Sequence, residues 1–298
     1  MPRMRDAAAA VPSFPSDLLE LAKPRITGLV STTAAAGFLL ATPPGPVPWL
    51  ALVRAVVGIG FVSAGSCALN QYVERELDRR MKRTARRPLP AGRMAPDLAL
   101  AWGALLAAIG ILVLALAVNP LTGLLAAATL AAYVFVYTPL KTRTSLATVV
   151  GAVPGAAPPL LGWTAAAGEF GLGGWLLFAL LFLWQLPHFL AIAWLYREDY
   201  RAAGMRLLTI GDPDFARTAR QSALWTVALL PVSLAPSAVG LAGALYLAGA
   251  LVFGGLFLAV AVAFARAPRV TTARRLLLSS VAYLPALLAV MVADHLWI

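Results

Sequence analysis

The stretch Leu98–Val118, LALAWGALLAAIGILVLALAV, runs for 21 residues without a charge or a proline. At 1.5 Å per residue a helix of that length spans about 30 Å, the thickness of a bilayer's hydrocarbon layer. Lipid offers no partner to a backbone N–H or C=O, so an open chain crosses it only as a helix. Similar apolar runs recur at about 26–42, 47–72, 120–139, 146–167, 172–196, 222–239, 241–265 and 276–293. With the first stretch they predict an all-α, polytopic membrane protein of nine transmembrane helices. Pro120 and the Gly240–Gly243 region predict very tight turns between spans three and four and between spans seven and eight.

Composition agrees. Of 298 residues, 60% are apolar and only 12% charged, against roughly 25% charged in soluble domains. One soluble core of this size could not hide so much apolar surface. A disordered chain, a disulfide scaffold and an ordinary cytosolic enzyme are excluded; Cys67 is alone and reads as a small apolar filler. The net charge of +11 does not indicate nucleic acid, because the basic residues sit in short gaps between apolar runs, where topology and anionic membrane lipid account for them. With the N-terminus inside, 23 of the 24 Lys and Arg residues fall on inner segments and only Arg54 lies near an outer end. That bias predicts an odd span count, a cytoplasmic N-terminus and an outer C-terminus carrying an incidental His295. Residues 1–24 read as a loose cytoplasmic tail, too weakly apolar before Pro12 for a signal peptide, and 25–298 as one domain. The inner loops at roughly 73–97 and 197–221 hold most of the acids, so chemistry on a charged substrate belongs to the inner face.

Three motifs stand at that face. Asn70, Glu74 and Asp78 recur every four residues and form one slowly drifting stripe on a helix. Three oxygen-bearing side chains at a membrane boundary suit Mg²⁺, which binds through one or two carboxylates plus substrate phosphate oxygens; they equally suit a solvated helix end whose acids balance neighbouring arginines. Directly downstream, Asp78-Arg79-Arg80-Met81-Lys82-Arg83-Thr84-Ala85-Arg86-Arg87-Pro88-Leu89 offers guanidinium forks to a polyanion. Carboxylates among cations make a poor anion site unless a metal bridges them, so a metal-bound diphosphate explains the mixture. On span six, Trp184-Gln185-Leu186-Pro187-His188-Phe189 puts an ionisable group about two turns inside the membrane, a functional candidate by default and otherwise a histidine bonded within the bundle. Helical phase places Gln185, His188 and Asp199 within about 60° of one another. Tyr133, Tyr137 and Lys141 make a third stripe, entering the inner face at the end of span four.

These residues resemble the UbiA-type intramembrane prenyltransferases. Asn70-x-x-x-Glu74-x-x-x-Asp78 is similar to the family pattern Asn-x-x-x-Asp-x-x-x-Asp, with a glutamate in the middle position. The forms Asp78-x-x-Met81-x-Arg83-Thr84-x-x-Arg87-Pro88-Leu89, Trp184-Gln185-x-Pro187-His188-Phe189 and Asp199-Tyr200-x-x-x-Gly204 resemble the branch that farnesylates protohaem, as do Tyr137-Thr138-Pro139-Leu140-Lys141-Thr142-Arg143 and the Gly- and Pro-rich start of span five.

The resemblance implies a bundle around a central apolar cavity opening to the inner face of a bacterial cytoplasmic membrane. It implies Mg²⁺ as the metal, farnesyl diphosphate and haem B as substrates, and haem A synthase or a terminal oxidase as assembly partners. It implies Asn70, Glu74, Asp78 and Asp199 as metal ligands, and Arg83, Arg87, Lys141 and Arg143 as diphosphate contacts. Tyr133, Tyr137, Gln185, His188 and Tyr200 would line the substrate site, with Lys141 and His188 also catalytic. Two rival readings are a quinone or chlorin-type acceptor, and a transporter or haem carrier without chemistry. A transporter would carry polar groups through the whole bilayer and often an internal repeat, whereas the acids here gather at one end.

Overall fold

The computed structural model describes residues 13–297, and the apolar runs are helices there. A short helix α1 (Phe14–Ala22) precedes α2 (Pro24–Ala41), α3 (Trp49–Arg79), α4 (Pro96–Ala117), α5 (Pro120–Leu140), α6 (Ala147–Ala167) and α7 (Leu172–Leu195). After a short α8 (Arg197–Ala202) come α9 (Ala216–Ala238), α10 (Ala244–Arg266) and α11 (Val270–Trp297). Nine of these described helices have 18 residues or more. Seven of them, α3 to α7 with α10 and α11, are long and apolar enough to cross a membrane. The other two are diluted by polar groups: α2 carries Arg25 and four hydroxyl residues, and α9 carries Arg217, Arg220, Gln221 and two prolines.

The tail expected to be loose is helical from Phe14, and its buried Leu21 packs with Ala68, Leu89 and Met94; residues 1–12 lie outside the described residues. Pro24 follows Lys23 and bars it from the α conformation. Lys23 is left-handed, at φ 46°, and separates α1 from α2. Both tight turns are present: Asn119 caps α5 by accepting from the Thr122 N–H at 2.8 Å, and Gly240 takes φ 75° between α9 and α10.

Helices α2 to α6 form one group and α7, α9, α10 and α11 a second, joined where α6 packs on α7 and where α2 meets α11. The second group holds the largest apolar core, with Leu177, Leu180, Tyr246, Phe257, Phe264 and Leu287. Outside, Leu116 is 82% and Phe135 75% exposed, while Asn70, Gln71, Glu74 and Asp78 are buried. Apolar outside and polar inside is the arrangement that lipid as solvent favours. An open groove of about 470 Å³ lies between α10 and α11, walled by Phe253, Phe257 and Tyr283 with Arg275 in its lining.

Helix α3 is about 46 Å long at 1.5 Å per residue, longer than the hydrocarbon layer is thick. Its last turns carry the stripe of Asn70, Glu74 and Asp78 on one unbroken helix. At the opposite end, the Asp294 carboxylate of α11 accepts from the N–H groups of Gly243 and Tyr246, satisfying orphan donors at the start of α10. Its neighbour His295 has Nδ1 3.1 Å from the Leu241 carbonyl oxygen and Nε2 3.4 Å from that of Thr42, and in a neutral imidazole one of the two is a hydrogen bond. The expected incidental histidine thus lies between two connecting loops.

Helices α2 and α6 touch backbone to backbone. A methyl group on Gly162 would overlap the Ala34 carbonyl, and one on Gly37 would overlap that of Pro159. Small residues allow such close crossings in membranes. Gly162→Val should lower the thermal unfolding midpoint in detergent, with an overpacking cost of about 1–3 kcal/mol. The same experiment on Gly255→Ala, where nothing lies within 4 Å, should leave the midpoint nearly unchanged.

Candidate active site

The stripe on α3 is matched by countercharges from two other segments. Glu74 Oε1 lies 2.7 Å from the Lys141 ammonium, and Asp78 Oδ2 accepts from Arg87 at 2.7 Å. Both carboxylates are almost fully enclosed, at 4% and 1% exposure, so unpaired they would be costly. Asn70 donates its amide to Thr138 Oγ1 at 3.1 Å, which leaves its carbonyl oxygen unclaimed.

The partners arrive by distinct local devices. Between Ala132 and Tyr137, α5 widens into a π-helical stretch, a rare form often found at functional sites. It ends at Thr138, whose hydroxyl donates to the Tyr133 carbonyl at 2.8 Å. The Tyr133 and Tyr137 rings lie 5.4 Å apart, and the Lys141 ammonium sits 4.5 Å from the Tyr137 ring centre. Burial opposes the charge on Lys141, but Tyr137, Glu74 and Tyr133 outweigh it and raise its pKa above the ordinary lysine value. Gly151 makes room for this cluster, since a Cβ there would strike the Tyr137 ring.

Arg87 comes from the loop after α3, folded back by Thr84, whose hydroxyl donates to the Asp78 carbonyl at 2.9 Å. Buried Met81 anchors that loop against Leu77, Tyr200, Ala203 and Met205. The contact brings α8 alongside: the Arg83 N–H donates to Asp199 at 3.2 Å and its guanidinium donates to Tyr200 Oη at 3.1 Å, lying over the Tyr196 and Tyr200 rings. The Arg206 N–H donates to the Lys141 carbonyl at 2.8 Å and closes the circuit.

The structure thus joins Asn70, Glu74, Asp78, Arg83, Arg87, Tyr133, Tyr137, Lys141, Asp199 and Tyr200 in one network. Gln185, His188 and Arg143 stand apart from it. Gln185 donates to the Ala152 carbonyl of α6 at 2.8 Å, and Gly155 leaves space for its amide. His188 turns to α11, with Nδ1 2.8 Å from Ser280 Oγ. The common phase expected of Gln185, His188 and Asp199 does not hold through to Asp199, because the helix breaks at Tyr196 (φ −111°, ψ 23°). Arg143 has no side-chain bond or ion pair among the described residues.

Among the described residues, no three His, Cys, Asp or Glu side chains gather to hold a metal unaided. The oxygens left over from the pairs above, on Asn70, Glu74 and Asp78, nevertheless suit Mg²⁺. One or two carboxylates suffice when substrate phosphate oxygens complete the coordination. Asp199 is engaged by the Arg83 backbone instead.

The profile of the UbiA prenyltransferase family matches residues 29–287. The chain belongs to that family. It is similar to a protein named protoheme IX farnesyltransferase from Solibacter usitatus (strain Ellin6076), 46% identical over 94% of this chain and 98% of the relative. A protein of the same name from Myxococcus xanthus (strain DK1622) is 46% identical over 98% and 99%. Among solved structures, a digeranylgeranylglyceryl phosphate synthase shares the fold with a TM-score of 0.80 at 17% identity, covering 95% of this chain and 99% of that one. A UbiA homolog from Archaeoglobus fulgidus bound to GPP and Mg²⁺ shares it with a TM-score of 0.62 at 16% identity, covering 92% and 99%. Like the family it belongs to, the chain is a prenyltransferase.

Two features of this UbiA-family site escape a reading by motif. Lys23, which looks like one more inner-face charge, occupies the left-handed turn between α1 and α2. Burial is the main cause that lowers its pKa, with Cys67 and Glu74 acting against it and Arg87 and Lys141 acting with it. Arg93 grips α1, donating to buried Asp17 at 2.8 Å and to Glu20 at 2.9 Å, while Gln71 donates to the Leu21 carbonyl at 2.9 Å. Helix α1 is thereby clamped beside the site. Arg93→Ala would strand the Asp17 carboxylate, with an expected loss of about 1–3 kcal/mol. Limited proteolysis should then cut faster near the α1–α2 junction, and Asp17→Asn added to Arg93→Ala should recover part of the protection.

Proposed function

We propose that the chain transfers the farnesyl group of farnesyl diphosphate to the 2-vinyl group of protohaem IX, with addition of water, giving haem O and diphosphate. The carrying observation is the pairing of Glu74 with Lys141 and of Asp78 with Arg87 at the inner end of α3. Those pairs hold equal numbers of anions and cations, which suits a guest that is itself a metal cation joined to a polyanion. Near-full-length identity to proteins named protoheme IX farnesyltransferase supports haem as the acceptor. The accompanying topology is nine spans in a bacterial cytoplasmic membrane, N-terminus and site inside, C-terminus outside.

Asn70, Glu74 and Asp78 would hold Mg²⁺, which when bound neutralises phosphate charge and polarises the leaving group. Lys141 and Arg87 exchange their carboxylates for diphosphate oxygens, and Arg83 flanks them on its tyrosine platform. As the allylic C–O bond lengthens, negative charge grows on the leaving oxygen beside these fixed cations, whose effect is large where water is excluded. The Tyr133 and Tyr137 rings cover the apolar side of the site. There the allylic cation meets the vinyl carbon before water reaches it. Water then adds to the cationic carbon next to the porphyrin and releases one proton, so the products are haem O, diphosphate and H⁺.

Purified protein should convert haem B with farnesyl diphosphate and Mg²⁺, leave 4-hydroxybenzoate untouched, and stop on addition of EDTA. Glu74→Gln and Asp78→Asn should each lower turnover by about 100-fold or more, the scale expected for a group stabilising transition-state charge. Normal metal-dependent turnover by either variant would end the metal assignment. Because the resting pairs are self-neutralising, Mg²⁺ and pyrophosphate should each bind weakly alone. Calorimetry with both present should give an affinity at least about tenfold tighter, a coupling of about 1.4 kcal/mol.

A further inference from the structure

His188 is held by a short chain of hydrogen bonds whose protons can be placed. Ser280 Oγ lies 2.6 Å from the Leu277 carbonyl oxygen and 2.8 Å from His188 Nδ1. Two oxygens at 2.6 Å require a proton between them, and a carbonyl has none to give. The hydroxyl proton therefore points at Leu277. Ser280 Oγ is then an acceptor toward His188, and the proton between them belongs to Nδ1. In a neutral imidazole with Nδ1 protonated, Nε2 carries a bare lone pair.

The surroundings fix the ring as well as the tautomer. Trp184 stacks on the imidazole with centroids 5.2 Å apart at 24°, and its own Nε1–H donates to the Ser280 carbonyl at 2.9 Å. Phe189 stands 5.7 Å away on a tilted plane. His188 is only half-buried, and Nε2 has no partner among the described residues. An N–H anchored on a protein oxygen, with the second nitrogen left bare, is how metal-ligating histidines are oriented. Helix rise places His188 about 10 Å deeper along α7 than Leu195, in the apolar layer beyond the carboxylate and cation network.

We infer that His188 Nε2 is an axial ligand for the iron of a porphyrin bound in the apolar layer, and that Ser280 is the positioning residue that sets its tautomer. The inference rests on the proposed haem acceptor and adds what holds it: iron fixed by a side chain of α7. No electron or proton is exchanged in this step; the Nε2 lone pair forms a dative bond to iron.

The test is haem B titrated into the detergent-purified full chain without farnesyl diphosphate, followed by Soret absorption and by the iron–imidazole stretch in resonance Raman. Wild type should show a histidine-ligated spectrum, lost in His188→Ala and restored by added imidazole. Ser280→Ala should weaken haem binding by several-fold and shift the iron–imidazole band, and Ser280→Thr should restore both. A histidine-ligated spectrum that survives in His188→Ala would overturn the inference, as would wild type that binds no haem. So would a fall in turnover of His188→Ala with an unchanged haem spectrum, which would make the residue a base rather than a ligand. Haem ligation through His188 with no farnesyl transfer would instead overturn the proposed reaction and leave the ligand assignment standing.

Discussion

Two carboxylates, Glu74 and Asp78, sit almost wholly out of contact with water at the end of an apolar bundle, and the segments at that end are arranged around that burden. An uncompensated buried charge destabilises a fold by several kcal/mol. Lys141 and Arg87 remove the penalty, and each requires its own segment to be where it is. Lys141 depends on the π-helical widening of α5 and on Gly151, which admits Tyr137 beneath it. Arg87 depends on the loop that Thr84 folds and Met81 anchors. That anchoring carries α8 with it and so delivers Asp199 and Tyr200 to Arg83. Local chain conformation and long-range charge balance are therefore one constraint.

The same constraint explains why the resting molecule has no ready-made cage for a metal among its described residues. A cage of three carboxylates would repel itself when empty, whereas carboxylates interleaved with cations are stable without a guest. The arrangement gives a site whose charges are balanced without a guest.

Much of this was legible in the sequence where the signal is periodic or local. The apolar runs, the stripes of Asn70, Glu74 and Asp78 and of Tyr133, Tyr137 and Lys141, and the arginines after α3 all follow from helical spacing and composition. What escaped is long-range or conformational. Ser280 is an ordinary serine in an apolar helix until α11 brings it against His188, 92 residues away. Lys23 is indistinguishable from a topology charge until the fold shows it in the left-handed turn that separates α1 from α2. The pairing of Arg93 with Asp17 crosses 76 positions and converts an expected tail into a clamped helix. Gln185 shares a face with Asp199 only if one helical phase runs through both, and the break at Tyr196 ends that phase.

The two ends of the bundle differ in how they are fastened. At the C-terminal end of α11, Asp294 satisfies the first N–H groups of α10, and His295 lies between the turn before α10 and the turn after α2. Neither contact leans on a pair of opposite side-chain charges. At the other end, the fastenings are ion pairs between side chains, Glu74 with Lys141 and Asp78 with Arg87. Competing charge can loosen such pairs, and it leaves a carboxylate seated on backbone N–H groups in place. The molecule is thus like a purse, with a drawstring at one rim and a sewn base at the other.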